Sequence, residues 1–169
     1  DDSGAIKGSF LLEDGWSYHD GECYYSKNGE LYTGWVDDYY VQNGRMLRNQ
    51  VVRDSESGKY YWVDEYGVYQ TNKWVNEGDS YAKEDGTLAE KEWMTIDGKL
   101  YCFYGGQYGV SHVYGMATID RKEYLFDKNG VYICDVAGMK DGWSLVDGAY
   151  YYKLNGSFIV GHEVQINGR

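Results

Sequence analysis

The side chains best suited to chemistry in this chain are aromatic, and they recur. Trp16 and Trp35 stand nineteen residues apart, as do Trp74 and Trp93, and runs such as Tyr24-Tyr25, Tyr39-Tyr40 and Tyr150-Tyr151-Tyr152 follow tryptophans at short distance. An indole or phenol ring acts without making bonds. It stacks on the apolar face of a pyranose, or it attracts a cation through the negative charge of its π face. Trp16, Trp35, Trp74, Trp93 and Trp143 are therefore candidate ligand platforms, with Tyr25, Tyr40, Tyr101, Tyr124 and Tyr151 as their neighbours. The competing use of the same rings is structural, as packing between successive repeats.

Covalent and acid–base chemistry has less to stand on. Catalytic carboxylates must be held at set separations in a cleft. Many of the 27 acidic residues instead sit beside turn glycines, where aspartate shapes backbone. A nucleophile needs a base nearby, yet His19, His112 and His162 fall in different repeat units, which a repeat array keeps apart. His19 and His112 read as solvated side chains, and His162 as a substitute for tryptophan. Cys23, Cys102 and Cys134 lack zinc-site spacing, although Cys102 and Cys134 could pair as a disulfide. Asp127-Lys128-Asn129-Gly130 has the start of a calcium loop without its later acidic ligand, and reads as a turn. The expectation is a protein that is not an enzyme and uses no cofactor or metal.

The elements that must hold the rings are short and repeated. The clearest unit runs from Gly15-Trp16 through Asp20-Gly21, Cys23-Tyr24-Tyr25 and Asn28-Gly29 to Thr33, and Gly34-Trp35 opens the next. A third unit keeps Gly58-Lys59-Tyr60-Tyr61-Trp62, and a fourth starts at Trp74. The fifth is Trp93 to Phe103, the sixth Met116 to Phe126, and the seventh Gly142 to Gly156. A partial unit over 161–168 puts His162 where Trp would stand. Aromatic and β-branched runs of this length are strands. The Asp-Gly and Asn-Gly pairs between them supply the positive φ angles of tight hairpin turns. One hairpin is barely stable alone, but stacked hairpins bury each other's aromatic faces. The fold class is therefore all-β: an elongated solenoid of tandem β-hairpins of about twenty residues each. Residues 1–14 form an N-terminal cap or the end of a preceding repeat, and 15–169 the array. Leu88 to Trp93 reads as a single helical turn.

Composition narrows the partners. The 169 residues carry a formal charge of −11, with 20 tyrosines, 23 glycines, six tryptophans and no proline. That balance excludes nucleic acid, whose phosphates require Lys and Arg, and disfavours polyanionic polymers and anionic membrane surfaces. Neutral sugars and cationic groups remain compatible. No apolar stretch is long enough for a membrane-spanning helix, so membrane insertion is not expected. The chain opens at Asp1 in mid-pattern, as a piece excised from a longer protein would.

Gly-Trp, a Thr-Ile-Asp-Gly-Lys-like turn, a Tyr-Tyr or Tyr-x-Phe strand and Asn-Gly together resemble the cell-wall-binding or choline-binding repeat. They are also similar to glucan-binding repeats of streptococcal glucosyltransferases and to carbohydrate-binding repeats of clostridial toxins. The resemblance covers Gly15 to Gly168. It implies a hairpin solenoid, ligands held in grooves between hairpins, and a secreted or cell-surface protein of a Gram-positive bacterium. Choline-binding members make a cage from the Gly-Trp ring, a second Trp opening the Trp-Tyr-Tyr strand, and an aromatic of the next hairpin. Here Cys23, Lys59 or Tyr60, Leu100, Glu123, and Ala149 or Tyr150 stand where that second Trp belongs. The sequence therefore points first to a carbohydrate-binding module for a neutral glucan or cell-surface glycan, tethering a larger secreted protein to polysaccharide. Choline-dependent wall attachment comes second, and a ligand-free structural spacer or assembly repeat third.

Overall fold

The computed structural model describes residues 13–146 and 148–158. The sequence readings made on 1–12, Asp147, and the partial unit 161–168 with His162 lie outside them. The described residues contain no α-helix, only strands and two short 3₁₀ turns, Asn76–Gly78 and Val136–Gly138.

Seven antiparallel hairpins follow the sequence repeats. Four lie before Ala89: Gly15–His19 with Glu22–Lys27, Gly34–Val36 with Tyr39–Gln42, Gln50–Arg53 with Tyr60–Val63, and Lys73–Val75 with Ser80–Ala82. Three lie after it: Glu92–Ile96 with Lys99–Gly105, Gly115–Ile119 with Lys122–Phe126, and Gly142–Val146 with Ala149–Leu154. The chain divides between Ala89 and Glu90 into two compact units. The turns are the expected ones. At Asp97-Gly98, both residues have positive φ, 50° and 74°, the type I′ geometry whose twist matches that of the strands.

In the third hairpin Val51 and Val52 stand opposite Trp62 and Tyr61, so aliphatic side chains replace the missing leading Trp. The helical turn expected over Leu88 to Trp93 is absent. Leu88 donates its amide to the Tyr60 carbonyl (2.8 Å), Ala89 donates to Tyr81 (2.9 Å), and strand resumes at Glu92. Both side chains are buried. Pairing to two preceding hairpins consumes the amides a helix would need.

Rings fill the space between hairpins in each unit. In the first, Tyr40, Val52 and Val63 form a buried cluster, packed by Trp35, Leu47, Tyr61 and Tyr69. In the second, Cys102, Ile119 and Phe126 are packed by Trp93, Tyr104, Val113, Ala117, Tyr124 and Tyr132. All three cysteines are free thiols. Asp127 Oδ1 accepts from the amides of Asn129 and Val131, both at 2.8 Å, so the segment resembling a calcium loop is a turn closed by its own aspartate. Asp64 treats Tyr66 and Val68 in the same way.

Asp54 orders the long turn of the third hairpin. Its carboxylate accepts from the Ser57 hydroxyl (2.6 Å) and amide (2.9 Å), while the turn's Ser55 amide donates to the Tyr40 hydroxyl (3.2 Å). Burial pushes the Asp54 carboxyl upward. The hydrogen bonds from Ser57, Glu56 and Ser55 outweigh it and hold the group below its ordinary value of 3.8. Because the folded value lies below the unfolded one, this group's contribution is full above the unfolded value and is lost as pH falls through the folded one. Asp54→Ala should cost about 2 kcal/mol at neutral pH, the scale of hydrogen bonds to a charged group, with the deficit against wild type shrinking in acid. Thermal melts of both proteins between neutral pH and pH ~2.5 check this; a deficit that does not shrink would point to a purely steric role.

Candidate functional site

The most open aromatic arrangement in the first unit surrounds Trp16. Its strand, Gly15–His19, pairs in register with Glu22–Lys27, setting Trp16 opposite Tyr25 with ring centroids 5.1 Å apart. Strand alternation puts Tyr18 on the same face, two residues along. From the second hairpin, Tyr39 meets Trp16 edge-on at 5.7 Å and 80°. Tyr66 arrives on the turn after the third hairpin, anchored in part by a bridge between Tyr39 and Val68. Gly67 (φ +86°) permits that approach, since a Cβ there would lie 3.1 Å from both the Leu47 carbonyl oxygen and the Met46 sulfur.

These side chains enclose a cavity of about 500 Å³, lined by Trp16, Tyr18, Tyr39, Tyr66, Met46 and Cys23, together with Ser17. No charged side chain of the described residues lines it. Trp16 is 43% exposed, Tyr18 68% and Tyr66 70%, so ring faces are available to a ligand. Cys23 occupies the place of the missing second Trp. Outside the cavity lining, Arg48 donates to the Cys23 sulfur at 3.4 Å, and Arg45 is bound to Glu22 at 2.6 Å. The Arg45 hydrogen bond holds the Glu22 carboxyl below the usual glutamate range.

The other sequence-derived candidates fall into two groups. Trp35 is surrounded by Tyr40 (5.0 Å), Tyr61 (4.9 Å) and Tyr69 (5.5 Å), all nearly perpendicular to it. Trp93 has Tyr124 at 5.0 Å, Tyr132 at 5.6 Å, and Phe126 stacked at 5.6 Å and 27°. Each indole is thus gripped by one tyrosine of the next hairpin, Tyr61 or Tyr124, and one from the segment just after it, Tyr69 or Tyr132. Tyr40 and Tyr101 are buried. The Tyr40 hydroxyl donates to the Arg53 carbonyl (3.0 Å), and burial pushes the Tyr101 phenol upward. Trp74, against Tyr81 at 5.4 Å, Tyr25, Tyr124 and Tyr151 are half-buried. Trp143 alone of these joins Trp16 in being well exposed, at 59%, with Tyr152 at 5.0 Å.

Sequence reasoning placed Trp16 and Tyr25 together but passed over Tyr18, Tyr39, Met46 and Tyr66. Tyr18 was legible from the two-residue strand period. Tyr66 was not, since it depends on a long turn folding back over an earlier hairpin. Among the described residues, no group of three or more His, Cys, Asp or Glu is placed to hold a metal ion. Burial pushes the Cys102 thiol up to about 12.

Tandem Trp-bearing hairpins with aromatic pockets between them define the architecture of the cell-wall-binding and choline-binding repeat superfamily, and this chain has that fold. Choline binding protein F from Streptococcus pneumoniae is similar over 90% of this chain and 54% of its own, with 26% identity and a TM-score of 0.51. The chain thus spans about half the length of that protein. Weaker likenesses are the choline-binding domain of CbpL from the same organism (23% identity, TM-score 0.46, 92% of this chain and all of that one) and alternansucrase in complex with isomaltononaose (18%, 0.43, 86% of this chain and 15% of that one). No protein-family model and no curated protein sequence matches the chain.

Proposed function

We propose that this chain is a non-catalytic binding module that holds a quaternary ammonium group, of the kind choline carries, in the aromatic cavity around Trp16. The observation that carries the reading is the cavity's lining: a tryptophan, three tyrosines and a methionine, with no charged side chain among the described residues, in a chain of net charge −11. Ring faces attract a methylated ammonium by cation–π contact, and the acidic field of the chain favours a cation over an anion. Tyr18 and Tyr66 supply rings where the superfamily's second tryptophan is replaced by Cys23. This reverses the order read from sequence, which placed sugar before choline. The likeness to choline binding protein F supports it. The biological setting that fits is attachment of a larger secreted protein to a choline-bearing surface polymer.

Sugar stacking is the second reading, favoured by the exposed Trp143 beside Tyr152. Tryptophan fluorescence titrated with choline chloride, ethanolamine and isomalto-oligosaccharide separates the two. Choline should give a saturable change in the millimolar range, with ethanolamine far weaker because its ammonium is better hydrated. A response to oligosaccharide alone would favour the second reading, and silence to all three would overturn both.

A further inference from the structure

The second unit contains a cavity of different chemistry. It encloses about 620 Å³ beside the sixth hairpin, and its lining includes Arg121, Lys122, Glu123, Asp135 and Lys153 but no aromatic ring among the described residues. That size lies within the range of small-ligand sites. We propose that it binds a sugar carrying an anionic group, carboxylate or phosphate, a ligand outside the quaternary ammonium reading above.

Lys153 is the first reason. It is only 6% exposed, and its ammonium donates to the carbonyls of Val136 (3.0 Å) and Met139 (2.8 Å). An ammonium has three N–H donors, so among the described residues one remains. Lys153 forms no ion pair with a described carboxylate, whereas a buried charge ordinarily has a counter-charge. An anion in the cavity it lines would supply one.

Arg121 is the second. It sits in the turn of the sixth hairpin at φ +65°, following Asp120. The first and fifth hairpins put Gly21 and Gly98 at that place, after Asp20 and Asp97, with φ of 85° and 74°. A side chain in left-handed backbone is held against local preference, and such strain gathers at functional places. Here the strained residue is one that lines the cavity.

The balance of charge is the third. Three cations and two carboxylates line the cavity, in a chain that is strongly acidic overall. One Asp135 oxygen already accepts from the Tyr132 hydroxyl at 2.7 Å. The remaining Asp135 and Glu123 oxygens are acceptors for sugar hydroxyls, while Arg121, Lys122 and Lys153 face the anion.

Calorimetry on the whole chain at low salt tests this with three probes: trigalacturonate, glucose 6-phosphate and maltotriose. At least one anionic sugar should bind while maltotriose does not, and which one binds identifies carboxylate or phosphate as the source. Added salt should weaken the binding, because its attraction is between charges at a solvated surface. Arg121→Gly restores the residue the sister turns use, so its melting temperature should hold or rise while affinity falls about tenfold. Trp16→Ala should leave this binding intact. The proposal is overturned if neither anionic sugar binds by millimolar concentration, if maltotriose binds equally well, or if Arg121→Gly keeps wild-type affinity.

Discussion

Trp16→Ala should weaken choline binding about thirty-fold while leaving the fold standing. The affinity figure follows from about 2 kcal/mol for a cation–π contact with a desolvated indole. Trp16 is the largest ring in the cavity, and Tyr39 already props it edge-on at 5.7 Å. The stability cost is smaller because the indole is 43% exposed. Losing its edge contacts with Tyr25 and Tyr39 should cost about 1 kcal/mol. Trp35→Ala is the contrasting control. That ring is enclosed by Tyr40, Tyr61 and Tyr69, so its removal should lower the melting temperature sharply and act on choline only through unfolding. Calorimetric titration avoids relying on Trp16 as its own reporter. If Trp16→Ala binds choline as wild type does, the cavity is not the site.

That contrast between two tryptophans marks where sequence reasoning reached its limit. Hairpins, turns and period were all legible, because Asp-Gly and Asn-Gly specify local backbone geometry and strand runs alternate with a period of two. Trp16 and Trp35 both follow a glycine at the head of a unit, however, and the Gly-Trp pair does not distinguish a free ring from an enclosed one. The difference comes from the following hairpin. Tyr61 and Tyr69 close over Trp35, while Trp16 meets Tyr39 and is left open beneath Tyr66. The decisive residues lie one or two repeats away, where turns of unequal length set the register. The same reason explains Leu88 to Trp93. Its local pattern suits a helical turn, but amides of the stretch are already taken by Tyr60 and Tyr81. The polar cavity was equally hidden, since Arg121 in sequence is merely an irregular member of a turn series that uses Gly21 in the first hairpin, Asp38 in the second and Gly98 in the fifth.

Phe126→Ala should cost about 3–5 kcal/mol, the range for truncating a fully buried phenylalanine. The ring has no exposed surface, stacks on Trp93 at 5.6 Å and meets Tyr132 at 6.1 Å. It shares its cluster with Cys102 and Ile119, and aliphatic side chains are too few nearby to close the gap. Against a typical stability of about 5–15 kcal/mol for a domain, such a loss brings the second unit close to unfolding. Two probes inside the cluster report it. Trp93 emission should shift to the red as its stacking partner disappears and water gains access. Cys102 should become reactive toward a thiol reagent, because burial hides its sulfur and, with the nearby Asp120 charge, pushes its thiol up to about 12. Opening the cluster removes the burial, the larger of the two causes. A variant with unchanged Trp93 emission and unchanged Cys102 labelling would mean that Tyr124 and Tyr132 hold the indole without Phe126. The aromatic seal between the fifth and sixth hairpins would then rest on tyrosine edges alone.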